Sequence, residues 1–261
     1  MTWQLPWRNP LVGAGWAASP ALIPAAAAGL PDNVTINGQT ASPVFSYYGQ
    51  GADASAWAAS AGPNLAIAST GTAPTTGKST GLTSVPTAVG INAGKVYQAA
   101  SAALQLTTGD ILLRIVARSP AAGAPTIAAQ RAAYGTNGWL AGFNSPTQFV
   151  VTIGTAPNLV STCVADTLQM FHVFIDRDDT SGWQQYVNGT LKSTGNPTAA
   201  SASLAGGQLL TIGATSVFGS VGTNDIALVQ AYELPSGWFA GGATNGTQWA
   251  AQAAADFALL V

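Results

Sequence analysis

The sequence predicts an all-β fold, a two-sheet antiparallel jelly-roll sandwich with an extended N-terminal arm and a short C-terminal helix. Three observations lead there. From Ser46 to Glu233, short strand-like runs alternate with clusters of Gly, Asn, Ser and Pro, the rhythm of strands and turns in sandwiches and jelly rolls. Residues 1–43 hold Pro6, Pro10, Pro20, Pro24, Pro31 and Pro43, a density that excludes a long helix and disfavours a central strand. Residues Thr247–Leu260 alone combine good helix formers with apolar residues at helical spacing.

In order along the chain, residues 1–43 form the expected arm. Trp3, Trp7 and Trp16 lie in it. Large apolar faces should not all rest in water, so these three are candidate assembly residues. The apolar stretch Leu11–Leu30 follows Arg8 but is interrupted by Pro20 and Pro24. Neither a signal peptide nor a membrane-spanning helix is expected from it.

Residues 44–240 form the expected jelly roll. In Ile111–Arg118, Ile111, Leu113, Ile115 and Ala117 share one face, and Leu112, Arg114, Val116 and Arg118 the other. This period of two predicts a strand with a wet outer face. Further strands are expected at Gln148–Ile153, Phe171–Arg177, Gly182–Asn188, Leu209–Ile212 and Asp225–Glu233. Asn188-Gly189 suits a two-residue hairpin turn with positive φ at both positions. Residues 241–261 are the helical segment, with Trp249, Ala253, Phe257 and Leu260 on one face, expected to cap one end of the sandwich.

Composition narrows the function. Charged residues make up 7% of the chain, with net charge −2, against about 25% in ordinary soluble domains. With no basic patch, neither nucleic acid nor anionic membrane is an expected partner. A surface so poor in charge tends to associate, which suggests an oligomer or larger assembly. The single cysteine, Cys163, excludes an internal disulfide and a Cys-based metal site.

Phe171-His172-Val173-Phe174-Ile175-Asp176, followed by Trp183-Gln184-Gln185-Tyr186-Val187-Asn188-Gly189, resembles the paired-strand signature of concanavalin A-like, laminin-G-like jelly rolls. Asn224-Asp225-Ile226-Ala227-Leu228-Val229-Gln230-Ala231-Tyr232 is similar to that family's closing strand, though Ala227 and Leu228 stand where it carries an acidic pair. The resemblance spans about Ser46 to Leu234 and implies the jelly-roll fold. The family includes lectins, adhesion modules, glycosidases and tailed-bacteriophage virion proteins. The charge-poor chain with its Pro/Trp arm looks most like the phage group.

Catalysis is not expected. Glycosidases of this fold use paired carboxylates, and Glu233 is the sole glutamate. His172 is the sole histidine, which limits any triad or zinc site, and its matched position implies a structural strand residue. No cofactor and no metal ligand set is expected. Asp176, Asp178 and Asp179 cluster in a predicted turn, where solvated acids or a calcium site are alternatives. Gly77-Lys78-Ser79-Thr80 echoes a phosphate loop but lacks the first glycine, Thr72 standing there. Trp139, Trp183 and Trp238 are candidates for a glycan platform, since aromatic faces stack on sugar rings. Trp183 reads better as core, which leaves Trp139 and Trp238. The expected function is a non-enzymatic virion component of a tailed phage, a capsid decoration or surface protein assembled by its arm as a homotrimer. The alternative is a carbohydrate-binding, lectin-like module or a receptor-binding tail protein.

Overall fold

The computed structural model describes residues 30–68, 72–92, 94–102, 106–107, 109–132, 137–154, 158–178, 182–195, 204, 207–215, 222–235, 238 and 243–261. Trp3, Trp7, Trp16 and Asp179 lie outside them. In chain order the strands are β1 (Val34–Ile36), β2 (Gln39–Ala41), β3 (Phe45–Tyr48), β4 (Ala56–Trp57), β5 (Leu65–Ala68), β6 (Thr75–Ser79), β7 (Thr87–Ile91), β8 (Val96–Ala99) and β9 (Asp110–Arg118). They continue as β10 (Thr126–Ala129), β11 (Trp139–Ser145), β12 (Gln148–Ile153), β13 (Leu159–Thr162), β14 (Leu168–Ile175), β15 (Trp183–Val187), β16 (Thr190–Gly195), β17 (Thr211–Ile212) and β18 (Asn224–Leu234). One helix, α1 (Ala243–Leu260), follows.

The strands build an antiparallel two-sheet sandwich, as the period-two runs predict. One sheet runs β13-β12-β11-β10-β17-β8-β5-β4 and the other β16-β15-β14-β9-β18-β7-β6, with β3 also pairing β18. The core lies between them because alternate residues of each strand point inward. Ile111, Leu113 and Ile115 of β9 meet Phe171, Val173 and Ile175 of β14 and Ile226, Val229 and Ala231 of β18 in one buried cluster. Across the gap, the Phe149 and Phe171 rings stack with centroids 4.2 Å apart.

The hairpin β15–β16 turns at Asn188-Gly189 with φ of 51° and 73°, the geometry this dipeptide predicts. A Cβ on Gly189 would sit 3.1 Å from the Ala254 backbone, so the turn also gives α1 room. Asn37-Gly38 repeats the device, φ 54° and 73°, and closes a small hairpin, β1–β2. Proline density predicted only extended chain there.

Two expectations need correction. The outer face of β9 is not wet: Leu112, Arg114 and Val116 are all fully buried. Second, α1 does not cap an end. It lies over the outer face of the second sheet with contacts to β14, β15 and β16 and to β1, beginning at Ala243 rather than Thr247. The cause of both is that this face is itself apolar. Leu112, Phe174, Tyr186 and Tyr232 form a second cluster with Val34, Ile36, Trp249 and Ala253, and Phe174 stacks on Trp249 at 5.2 Å. Val116, Met170 and Leu228 form a third with Leu30, Tyr48 and Leu260. Leu30 and the β1–β2 hairpin therefore belong to the body of the sandwich. Among the described residues, no helix is long and apolar enough to cross a membrane.

Candidate functional site

The expected glycan platform does not form. Trp139 is 1% exposed, stacks on Phe45 at 6.0 Å, and donates its indole N–H to Gln130 Oε1 at 2.8 Å. It is a core residue because β11 turns it between the sheets. Trp183 is equally buried. Trp238 is half-buried against the outer cluster that α1 covers, with Asn37 Nδ2 donating to its carbonyl at 3.0 Å. Trp139 and Trp238 thus pack in different clusters and share no face.

Of the predicted acidic turn, Asp176 is buried and Asp178 exposed. The structure adds a residue that sequence reasoning missed, Asp110 at the start of β9. Ligand oxygens of Asp110, Asp176 and Asp178 lie within 4.8 Å of one another, close enough for a metal ion. Their local hydrogen bonds are those of a turn: Arg177 N donates to Asp110 Oδ1 at 3.0 Å and Asp178 N to Asp176 Oδ1 at 3.1 Å. Burial lowers the Arg177 pKa, opposed by the charges of Glu233, Asp110 and Asp178. A resident cation already stands among these carboxylates. Glu233 Oε1 accepts from Thr107 N, Thr107 Oγ1 and Gly109 N at 2.7, 2.6 and 3.0 Å, which ties a loop rather than flanking a cleft.

His172 is fully buried and its Nε2 lies 2.9 Å from Asp256 Oδ2 of α1. Desolvation lowers its pKa despite that carboxylate, so the ring is held neutral. Cys163 is half-buried, and burial pushes its thiol up to about 11, an inert rather than nucleophilic sulfur.

Among the described residues, a cleft of about 690 Å³ can bind a ligand. It forms where the end of β9, the turn before β14, the first residues of β18 and edge strand β6 converge. Each supplies charge or polarity: Arg118, Asp166, Asn224 with Asp225, and Lys78. Lys78 Nζ lies 2.5 Å from Asp225 Oδ1, and Arg118 Nε 3.3 Å from Asp225 Oδ2. Arg118 Nη1 lies 3.8 Å from Asp166 Oδ1 and donates to the Asp166 carbonyl at 3.0 Å. Lys78 and Arg118 keep 41% and 37% of their side-chain surface, so these groups face solvent. Asn224 is 3% exposed, and neither carboxamide atom has a hydrogen-bond partner. A buried, unpartnered amide carries its full desolvation cost. No aromatic side chain lines the cleft among the described residues.

Sequence reasoning missed this site. Its four charged residues come from positions 78, 118, 166 and 225, and only the fold joins them. One signal was present. In a chain with eight basic and ten acidic residues, every exposed charge is scarce, and two of each sign meet here.

No protein-family model matches the chain, and no curated protein is similar to it in sequence. Solved structures are similar in fold. The binding domain of botulinum neurotoxin serotype G aligns with 79% of the chain at 11% identity, TM-score 0.52, over 50% of its own length. The binding domain of Paraclostridial Mosquitocidal Protein 1 aligns with 74% at 11% identity, TM-score 0.52, over 49% of its length. The binding domain of botulinum neurotoxin serotype C1 aligns with 74% at 12% identity, TM-score 0.50, over 50% of its length. The chain spans about half the length of these toxin domains. At such identity the likeness is one of fold, and that fold is the β-sandwich.

Proposed function

We propose that this β-sandwich is a non-catalytic binding module whose ligand is a carbohydrate, held in the cleft of Lys78, Arg118, Asp166, Asn224 and Asp225. The observation that carries the reading is the pairing of charges there. Asp225 is tied to both cations and Asp166 stands 3.8 Å from Arg118, which presents donors and acceptors side by side. Sugar hydroxyls donate and accept at once, so a mixed array suits them better than a patch of one sign. Carboxylates engaged in this way are arranged to hold hydroxyls rather than to pass a proton, and the Glu233 carboxylate is committed to a loop. Three neighbours in fold are themselves described as binding domains, in keeping with a binding role.

The test is binding of the full chain to a broad panel of immobilised glycans, beside the double variant Arg118→Ala, Asp225→Ala. Selective binding that the variant loses, with the far-ultraviolet circular dichroism unchanged, supports the reading. Silence across the panel removes it, and steady hydrolysis of any bound glycan removes its non-catalytic part.

A second reading is a virion component that assembles as a homotrimer through residues 1–43. The scarcity of charge favours it, because such surfaces associate. The solution mass of the full chain beside one lacking residues 1–29, which leaves Leu30 in its buried place, decides it. Two monomers would sink that reading, and an oligomer lost on truncation would support it.

A further inference from the structure

Resting on the carbohydrate reading, the donor and acceptor inventory of the cleft narrows the ligand class. Asp225 lies between Lys78 and Arg118, and Arg118 also meets Asp166. Charges are balanced within the site. An anionic ligand would meet Asp166 and Asp225 beside the two cations, and a metal ion would meet Lys78 and Arg118 beside the two carboxylates. A site whose two cations and two carboxylates already balance offers neither ligand a net electrostatic attraction.

The unpartnered group is Asn224. Its carboxamide offers donors on Nδ2 and an acceptor on Oδ1, and both atoms are buried without partners. A ligand that relieves both must bring an acceptor and a donor next to each other. A carboxylate or sulfate brings acceptors alone and leaves Oδ1 orphaned. A pair of adjacent hydroxyls brings both, one donating to Oδ1 and the other accepting from Nδ2. We infer that the cleft takes a neutral sugar through two vicinal hydroxyls seated on Asn224, with no metal ion taking part.

The experiment uses the full chain and two sets of oligosaccharides, neutral ones and their uronic, sialylated or sulfated counterparts, in calcium and in chelator. The expected result is binding of neutral glycans with equal affinity in both buffers. Removing either of the two hydroxyls from the sugar should weaken binding at least tenfold. Asn224→Leu should do the same while the thermal midpoint holds or rises, because an apolar side chain of similar size ends an unsatisfied burial. A residue with a purely structural role would lower that midpoint instead. Should Asn224→Leu fold poorly, Asn224→Asp replaces the donor with a third carboxylate, and the same loss of binding is expected. Binding confined to acidic glycans, or abolished by chelator, overturns the inference and leaves the carbohydrate reading standing. Silence of both sets overturns the two together.

Discussion

Arg114 of β9 and Asp256 of α1 form an ion pair, Nε to Oδ2 at 3.0 Å, with side chains 0% and 2% exposed. The pair joins the centre of the second sheet to the helix that covers it. Around it, Arg114 Nη1 donates to Tyr232 Oη and to the Pro31 carbonyl, each at 2.9 Å. Gln252 Nε2 donates to Asp256 Oδ1 at 2.9 Å. A guanidinium this deep needs its counter-charge.

Asp256→Ala is therefore expected to destabilise the fold by about 3–5 kcal/mol, the usual result of leaving a buried charge unpaired. Denaturant unfolding of the variant beside the wild type measures it. A loss below about 1 kcal/mol would mean that water reaches Arg114.

The same network makes the protein acid-sensitive. Desolvation lowers the His172 pKa below its ordinary 6.5. The unfolded chain then binds a proton that the folded one refuses. The stability held in His172 is complete above pH 6.5 and is lost as pH falls toward the folded value. For Asp256, burial opposes the charge, but the His172 hydrogen bond and Arg114 outweigh it and lower the pKa below 3.8. Its contribution is complete above pH 3.8 and is lost as pH falls through the folded value. His172→Gln should flatten the decline that begins below pH 6.5, read from unfolding midpoints at falling pH.

Gly138 leads into β11 with φ of 108°, and a Cβ there would lie 1.9 Å from the Gln130 carbonyl oxygen. Gly138→Ala is expected to cost about 2–4 kcal/mol, from backbone strain and overlap together. Gly77, whose added Cβ would meet nothing within 4 Å, is the control. Its alanine variant bears only the strain of φ 70° and should lose about 1 kcal/mol. Equal losses at the two sites would count against the close packing at Gly138.

Trp139→Ala should cost about 3–5 kcal/mol by opening the core, and because the chain has eight tryptophans the emission lost between wild type and variant should be that of a buried ring. Cys163, with its thiol pushed up to about 11, should react with thiol reagents far more slowly than free glutathione at pH 7.5 and catch up in denaturant. Fast labelling of the folded chain would contradict that environment.

Strand period and turn chemistry are local, so the class of fold is legible along the chain. Ile111–Arg118 alternates, Phe171 to Gly189 supplies two strands and an Asn-Gly turn, and Thr247–Leu260 is built of helix formers. The family resemblance placed His172 in a strand as a structural residue, and it is buried there. Local pattern could not say what lies over an outer face. Arg114 reads as solvated from its neighbours in sequence and becomes buried only because Asp256 arrives from a helix 142 positions later in the chain. The cleft was hidden for the same reason: strand pairing and the turn before β14 bring Lys78, Arg118, Asp166 and Asp225 together. Trp139, likewise, turns into the core and Trp238 packs on the outer cluster, a choice made by tertiary packing and not by the residues beside each.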